Sequence, residues 1–383
     1  MKRDLVVLSV FGTRPEAIKM APLVKALEKA EGIRSLVCVT AQHREMLDGA
    51  LQKFSITPDY DLDLMRAGQT LTSITTGVLT GMAPVLADAK PDVVLVHGDT
   101  TTSTAAALAA FYHQAKVGHV EAGLRSFDKY SPFPEETNRV LTGRLADLHF
   151  APTERSMNNL RNEGITQGVH VVGNTVIDAL HMMVHDDYVF EDHQLAELPL
   201  GEGRWILMTA HRRENLGEPL ANICRAVRRL VEDHPDVHVV YPVHPNPRVR
   251  ETVNQQLGNL ERVHLISPVE VADMHNLMKR CYLVMTDSGG LQEEAPALGK
   301  PVVVLRTETE RPEVVEAGMA VLAGVEEQDV YDIACSLLND EERYHAMSRA
   351  VHPYGDGHTS QKIVAVLQQL RRGMPDSTSD ASL

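Results

Sequence analysis

Three carboxylates of this sequence stand where acid and base chemistry would be expected. Asp99 and Glu121 each follow a short apolar run, and Glu135 lies just inside a helix that Pro134 begins. Ligands of open parallel sheets lie beyond the carboxyl ends of the strands, so these acids would share one sheet edge. Simpler roles exist as well, because Asp99 could cap a helix, and Glu135 could oppose the helix dipole.

Basic residues follow the first apolar run, in FGTRPEAIKMAP. Gly12 permits a tight turn there, and Arg14 and Lys19 lie near the start of the helix that follows. A cation beside the positive end of a helix dipole is unfavourable unless an anion arrives, which favours a phosphate or carboxylate ligand. The alternative is that Arg14 pairs with Glu16 or another nearby acid.

Two histidines occupy equivalent positions in the second half of the chain. His211 follows an apolar run and is flanked by Arg212 and Arg213, which would raise the local potential for an anion, although a basic surface turn is the alternative. His244 lies among prolines in YPVHPNP, where a structural histidine and a ligand contact are both compatible with the pattern.

The segment TDSGGLQEEAP is the strongest candidate in the sequence for an anion-binding site. Ser288, Gly289 and Gly290 end a strand and open a helix, and two glycines leave the backbone N–H groups uncovered at the helix start. That arrangement can hold a diphosphate. Glu293 or Glu294, one turn later, is placed to accept from a ribose diol.

Motifs for other chemistry are missing from the sequence. There is no GxGxxG after the first strand, no GxxxxGK[ST], and no HExxH, CxxC or EF-hand pattern. We therefore expect neither a cofactor nor a metal, and any phosphate would be met by arginine, histidine and backbone donors.

Alternating strands and helices are predicted to position these residues. The apolar runs of the first half are 5–10, 36–40, 93–97, 117–120, 148–151 and 169–172. Those of the second half are 205–209, 237–241, 263–266, 282–286 and 302–305, with helices near 220–232, 269–279 and 291–298. Such βα repetition predicts an α/β protein with two doubly wound parallel sheets.

The repeated strand–helix pattern and the length of 383 residues predict two domains. We expect an N-terminal Rossmann-like domain over 1–185, a linker over 186–203 and a C-terminal domain over 204–358. Segment 359–371 predicts a last amphipathic helix, which could pack on either domain, and 373–383 predicts a flexible tail.

Composition excludes several kinds of partner. The formal net charge is −15 and no basic block occurs, which argues against nucleic acid. No apolar stretch reaches the roughly 18 to 20 residues that span a membrane. Four separated cysteines favour reduced thiols, so we expect a cytoplasmic protein without a membrane partner.

Ten ordered motifs together resemble one enzyme family, the bacterial non-hydrolysing UDP-N-acetylglucosamine 2-epimerases. The match extends from about Leu5 to Leu370. The motifs are FGTRPEAIKMAP, TAQHR, VHGDTTT, GHVEAGLRS, PEETNR, GNTVIDAL, TAHRREN, YPVHPNP, TDSGGLQEEAP and ERPE.

This resemblance implies a fold of the glycosyltransferase-B and glycogen-phosphorylase type, with an interdomain cleft and a last helix that returns to the N-terminal domain. It also implies a homodimer that reversibly converts UDP-N-acetylglucosamine (UDP-GlcNAc) to UDP-N-acetylmannosamine (UDP-ManNAc). The catalytic residues implied are Asp99, Glu121, Glu135 and His211. The substrate-binding residues implied are Arg14, Lys19, Arg139, His244, Ser288, Gly289, Gly290, Glu294 and Arg311.

Some members of the family have a regulatory UDP-GlcNAc site. Its residues would be Gln42, Gln69, Arg212 and His244 in this sequence. Gly68 stands before Gln69, where some regulated members have an arginine, and this difference argues against activation.

The residues suggest a mechanism in which UDP leaves C1, a carboxylate removes the C2 proton, and a 2-acetamidoglucal remains until UDP adds back. Proton transfer on two faces of C2 needs two acid/base groups. A retaining UDP-sugar glycosyltransferase, a hydrolysing epimerase that releases ManNAc, and a non-catalytic UDP-sugar sensor are the alternatives.

Overall fold

The structure, a computed structural model, describes residues 3–41, 44–64 and 68–373. Its contacts divide the chain into two compact units. The first comprises residues 1–179 and 354–383, and the second comprises 180–353.

The described part of the first unit contains one seven-stranded sheet, in the order β3-β2-β1-β4-β5-β6-β7. Every pair of neighbouring strands is parallel. Buried apolar residues fill both faces of the central strands, which explains their continuous apolar sequence. The strands are β1 (Leu5–Phe11), β2 (Ile33–Val39), β3 (Tyr60–Asp61), β4 (Val93–His97), β5 (Lys116–Val120), β6 (Leu148–Ala151) and β7 (Val169–Val171).

The helices of this unit connect those strands or follow them. They are α1 (Arg14–Glu28), α2 (Arg44–Lys53), α3 (Leu71–Ala89), α4 (Thr101–Tyr112), α5 (Glu135–Leu145), α6 (Glu154–Asn162) and α7 (Thr175–Met183). The last helix among the described residues, α16 (Thr359–Gly373), packs against α1. Asp178 fixes the start of α16, because its carboxylate accepts from the backbone N–H groups of Thr359 and Ser360.

The second unit contains a six-stranded sheet among its described residues, in the order β10-β9-β8-β11-β12-β13, again parallel throughout. The strands are β8 (Arg204–Thr209), β9 (Val237–Pro242), β10 (Val263–Ile266), β11 (Leu283–Thr286), β12 (Val302–Val304) and β13 (Ala320–Leu322). The helices are α8 (His193–Ala196), α9 (Glu218–Asp233), α10 (Pro247–Leu257), α11 (Val271–Arg280), α12 (Gly289–Ala297), α13 (Pro312–Glu316), α14 (Glu327–Asn339) and α15 (Glu341–Ser348).

The expected α/β class with two Rossmann-like parallel sheets is confirmed. Segment 186–203 is where the sequence suggested a linker. It contains α8 and belongs to the second unit, where the Asp273 carboxylate accepts from the N–H groups of Glu191 and Asp192. The expected tail, apart from Gly373, lies outside the described residues.

No helix of the described ranges is long and apolar enough to cross a membrane. Within the same ranges, no three His, Cys, Asp or Glu side chains are grouped closely enough to hold a metal ion.

Candidate active site

Glu121 is the centre of a polar cluster at the carboxyl edge of the first sheet. It directly follows β5, has a φ of +63°, and its side chain is 9% exposed. Its Oε2 accepts from Lys19 Nζ at 2.5 Å and from Asn174 Nδ2 at 2.9 Å. The backbone turn after β5 and these two donors thus fix the carboxylate at a strand end.

His97 lies beside that carboxylate, at the end of β4. Its Nε2 is 3.7 Å from Glu121 Oε2, and the ring is buried. Burial lowers the pKa of His97, although Glu121 opposes this shift. A buried imidazole of lowered pKa is neutral near pH 7, so it contributes a polar ring rather than a charge.

Asp99 does not cap the helix that follows it. Thr100 is the N-cap of α4, since its side chain accepts from the backbone N–H of Ser103. The Asp99 carboxylate pairs instead with Arg139, with Nη2 2.6 Å from Oδ2. An arginine from α5 therefore holds this acid at the end of β4.

The neighbouring acids Glu135 and Glu136 have different environments. Glu136 is buried and accepts from the backbone N–H groups of Ser126 and Phe127 and from Arg139 Nη1. Glu135 Oε2 is buried without a hydrogen-bond partner in the part of the chain that is described. Glu136 thus fixes the turn after β5, whereas one oxygen of Glu135 is left for another partner.

Glu16 does not pair with Arg14. It is buried, and its Oε2 accepts from the N–H groups of Gly12 and Thr13 in a capping box, while its Oε1 accepts from Thr100 Oγ1. Among the described ranges no hydrogen-bond or ion-pair partner of Arg14 is found. The half-buried guanidinium is therefore compatible with the anion-binding role suggested by the sequence.

In the second unit, Ser288 is the N-cap of α12 and makes no side-chain cap hydrogen bond. A Cβ atom added at Gly289 would lie no closer than 3.7 Å to a neighbouring atom, and one added at Gly290 no closer than 3.6 Å. The fold itself therefore does not require glycine at either position. What glycine provides is an uncovered row of N–H groups at a helix start, which suits an anion.

Glu293 and Glu294 are held by different partners. Glu293 is buried and pairs with the guanidinium of Arg311. Glu294 Oε2 lies 3.2 Å from Nε2 of the buried His275 on α11. Of the two acids, Glu294 is the more exposed and remains the better candidate for a ribose contact, while Arg311 already has a carboxylate partner.

His211 and His244 stack with ring centroids 5.1 Å apart and an interplanar angle of 12°. Burial lowers the pKa of His244, and the positive potential of His211 adds to this effect. Asn246 N–H donates to His244 Nδ1, so this nitrogen acts as an acceptor. The two imidazoles thus come together after β8 and β9, as their positions after strands suggested.

Three of the four residues suggested for a regulatory site, Gln69, Arg212 and His244, have partners within their own units. Gln69 Nε2 donates to the carbonyl of Leu64, and Arg212 Nη1 lies 3.2 Å from Glu310 Oε1. Burial would raise the pKa of Glu310, but Arg212, with smaller contributions from Arg306 and Arg311, lowers it below its usual value. Gln42 lies outside the described residues.

Sequence reasoning missed five polar residues of these clusters. The sequence could have indicated three of them. His97 and Asn174 come at or shortly after strand ends, and Asp287 directly precedes Ser288. The contact of His275 depends on packing between helices, so no local pattern marks it. The same holds for the buried Arg306, whose Nε lies 3.1 Å from Glu214 Oε1.

The fixed carboxylates follow strands of the first unit, and the open helix start and the paired histidines follow strands of the second unit. In this α/β protein they form candidate sites for acid/base chemistry and for binding an anion. The sequence model of the family described as UDP-N-acetylglucosamine 2-epimerase matches residues 25–368. The chain belongs to this family and is an epimerase, which confirms the resemblance seen in the sequence.

Named relatives and solved structures agree with this assignment. The chain is 55% identical over 379 residues to UDP-N-acetylglucosamine 2-epimerase of Bacillus subtilis, with 98% of this chain and 99% of the relative covered. It is 53% identical over 372 residues to the enzyme of that name from Escherichia coli K12, with 95% and 99% covered. A crystal structure of UDP-GlcNAc 2-epimerase from Neisseria meningitidis bound to UDP-GlcNAc has a TM-score of 0.83, 48% identity and coverage of 95% and 100%.

Proposed function

We propose that this chain reversibly inverts C2 of UDP-GlcNAc to give UDP-ManNAc, by eliminating UDP and adding it back. The observation that carries this proposal is the fixed carboxylate of Glu121, held between Lys19 and Asn174 at a strand end. Family membership and the UDP-GlcNAc in the Neisseria structure support the choice of substrate.

The chemistry requires the leaving group to depart as the proton is removed. The C2 proton is not next to a carbonyl, so it is only weakly acidic until the bond from C1 to the UDP oxygen breaks. The bonding pair leaves with UDP, a carboxylate takes the proton, and the C2–H pair becomes the C1–C2 double bond of 2-acetamidoglucal. In the second half a UDP oxygen attacks C1, and a proton is delivered to the opposite face of C2.

Asp99, Glu121 and Glu135 are the proposed acid/base groups. Two faces of C2 require two such groups, and a third can support the charge of the others. Lys19 pairs with Glu121 and Arg139 pairs with Asp99, so each carboxylate is held in place by a cation.

The second unit is proposed to hold the uridine diphosphate. The N–H groups of Gly289 and Gly290 and the hydroxyl of Ser288, together with His211, would stabilise the charge that grows on the departing diphosphate. The backbone N–H of Ser288 already donates to Thr286 Oγ1. Glu294, oriented by His275, would accept from the ribose diol. Arg14 and Arg311 are further proposed substrate contacts, as is His244.

Three further parts of the proposal come from the resemblance or from the composition of the chain. A homodimer is predicted, and a cytoplasmic location is supported by four cysteines that are all free thiols. The second UDP-GlcNAc site, with Gln42, Gln69, Arg212 and His244, stays a prediction that a sigmoidal dependence of rate on UDP-GlcNAc would support.

Product analysis tests the proposal. UDP-GlcNAc incubated with the purified chain, without an acceptor, should yield UDP-ManNAc by proton NMR, with UDP and free sugar staying far below stoichiometric amounts. Stoichiometric ManNAc and UDP would indicate a hydrolysing epimerase instead. An unchanged substrate that is consumed only when an acceptor sugar is added would indicate a glycosyltransferase.

A set of variants completes this test. Asp99→Asn, Glu121→Gln and Glu135→Gln should each lower the epimerisation rate by about 100-fold or more. Glu154→Gln is the matched control, because Glu154 is an exposed first-turn acid of α6 in the same unit, and its rate should stay within twofold of the parent.

A further inference from the structure

Asp287 is fully buried between β11 and α12, directly before Ser288. Its Oδ2 accepts three hydrogen bonds, from the backbone N–H of His211 at 2.7 Å, that of Arg212 at 2.8 Å, and Asn215 Nδ2 at 3.0 Å. One carboxylate oxygen thus fixes the backbone of the turn that carries His211.

The other oxygen of Asp287, Oδ1, does not accept such hydrogen bonds. It is buried and has no hydrogen-bond partner in the part of the chain that the structure describes. The basic group beside it is His211, whose Nδ1 lies 3.7 Å away. A buried carboxylate oxygen without a donor is costly, so a small movement of the ring that brings Nδ1–H onto Oδ1 would be favourable.

The other charged and titratable groups around this imidazole do not replace Asp287. His244 stacks on the ring face, where it cannot reach Nδ1 along the ring plane, and its own Nδ1 accepts from Asn246 N–H. Arg212 is paired with Glu310. The Asp287 carboxylate is therefore the group that can select the orientation and tautomer of His211.

We propose that Asp287 is a positioning residue for His211: its buried carboxylate accepts from Nδ1–H, so that Nε2 faces the diphosphate of the nucleotide sugar and donates to it when the ring carries a second proton. The inference rests on the proposed function for the role of His211. An imidazole held in this way by a carboxylate presents the correct nitrogen and is stabilised when it carries charge.

The position of Asp287 in the chain gives the arrangement a further consequence. Asp287 immediately precedes Ser288, which is followed by Gly289 and Gly290. The N–H groups of these two glycines are the proposed cradle of the same diphosphate. One short segment thus positions both the backbone donors and the His211 imidazole, and it fixes their positions relative to each other.

Ring NMR on the unaltered protein tests the positioning directly. With 15N-histidine labelling, and His211→Gln to assign the signals, long-range proton–nitrogen correlations should show a protonated Nδ1 on His211 near pH 7. A bare Nδ1 with the proton on Nε2 alone would overturn the proposal. This measurement needs no substrate, so it is independent of whether the chain is active.

Asp287→Asn tests the catalytic consequence. It should change the ring signals of His211 and lower kcat by about 100-fold or more, while KM for UDP-GlcNAc changes less than threefold. An unchanged ring and a kcat within threefold of the parent would overturn the inference.

Asp273→Asn is the matched control. Asp273 is also buried in the second unit and accepts from backbone N–H groups at 191 and 192 and from the Tyr188 hydroxyl, but the contacts that it makes hold a loop. We expect this variant to lose stability without changing the His211 ring signals. If the ring signals are as proposed but the parent protein does not epimerise UDP-GlcNAc, the proposed function fails while the positioning by Asp287 stands.

Discussion

Lys19 and Glu121 lie 102 residues apart in the sequence and form an ion pair of 2.5 Å at the carboxyl edge of the first sheet. Lys19 comes from α1, which follows β1. Glu121 directly follows β5, which is separated from β1 by β4 in the sheet. The pair is mostly buried, so the attraction is screened less than it would be on the surface.

Replacing Lys19 tests whether this pair serves the reaction. Lys19→Met keeps the length of the side chain and removes its charge, so Glu121 loses its ion pair with Lys19. We expect the epimerisation rate to fall roughly 100-fold. Lys25→Met is the control on the same helix, because Lys25 pairs with the exposed Glu28, and a comparable loss in that variant would contradict a specific role for Lys19.

Substitutions of the adjacent acids Glu135 and Glu136 should have different effects, one on activity and the other on stability. Glu136→Gln weakens acceptance from two backbone N–H groups and the pairing with Arg139, so the free energy of unfolding should fall by about 1 to 3 kcal/mol. Glu135→Gln should leave the urea unfolding midpoint nearly unchanged while epimerisation is lost. The reverse pattern would show that the roles of the two acids have been exchanged.

Gly290→Ala should separate folding from nucleotide binding. The added methyl group would lie 3.6 Å from Glu294 Oε1, an ordinary contact, and alanine favours a helix by roughly 0.5 to 1 kcal/mol. The same methyl group would cover N–H groups proposed to bind the diphosphate, so calorimetry should show UDP binding at least about tenfold weaker. Gly49→Ala, an exposed helical glycine with no atom within 4 Å of its added Cβ, should leave UDP binding unchanged.

Because two histidines of the first sheet are buried, we expect the protein to lose stability as the pH falls. His119 and His149 are neighbours on β5 and β6, and burial lowers their pKa values to about 3 and about 4. The unfolded chain, with an ordinary pKa near 6.5, binds more protons below that pH, so stability present above pH 6.5 is lost as the pH falls toward 4.

Denaturant unfolding between pH 7 and pH 4 measures this dependence. Each histidine should contribute up to about 1.4 kcal/mol per pH unit within the window. His149→Leu should therefore reduce the slope, whereas His113→Gln, at an exposed histidine, should not. Equal slopes in the parent and the His149 variant would contradict the neutral buried state.

Much of the fold could be predicted because buried parallel strands read as continuous apolar runs. The runs at β4, β6 and β10 give the observed bounds, and β1 differs by one residue. The strands β3 and β13, of two and three residues, were not predicted, since so few residues carry no periodicity. Edge strands of this length are defined by pairing with a neighbour, which a local pattern cannot show.

The candidate site was predictable only in part. The rule that ligands lie beyond strand ends selects Asp99 and Glu121, but it cannot distinguish Glu135 from Glu136 or show that Asp287 supports His211. Those distinctions come from hydrogen bonds between segments far apart in sequence, such as the bond between His211 and Asp287, which are 76 positions apart. A cap prediction at Asp99 was wrong because Thr100, one residue later, has the geometry to accept from Ser103 N–H.

Exchange at C2 is the most direct measurement of the proposed elimination and re-addition. UDP-GlcNAc would be incubated with the chain in D2O without an acceptor and followed by proton and carbon NMR. Deuterium should enter C2 of both UDP-GlcNAc and UDP-ManNAc, and Asp99→Asn, Glu121→Gln and Glu135→Gln should suppress it. UDP-ManNAc that forms with its C2 hydrogen fully retained, or exchange that persists in all three variants, would contradict proton transfer by these carboxylates.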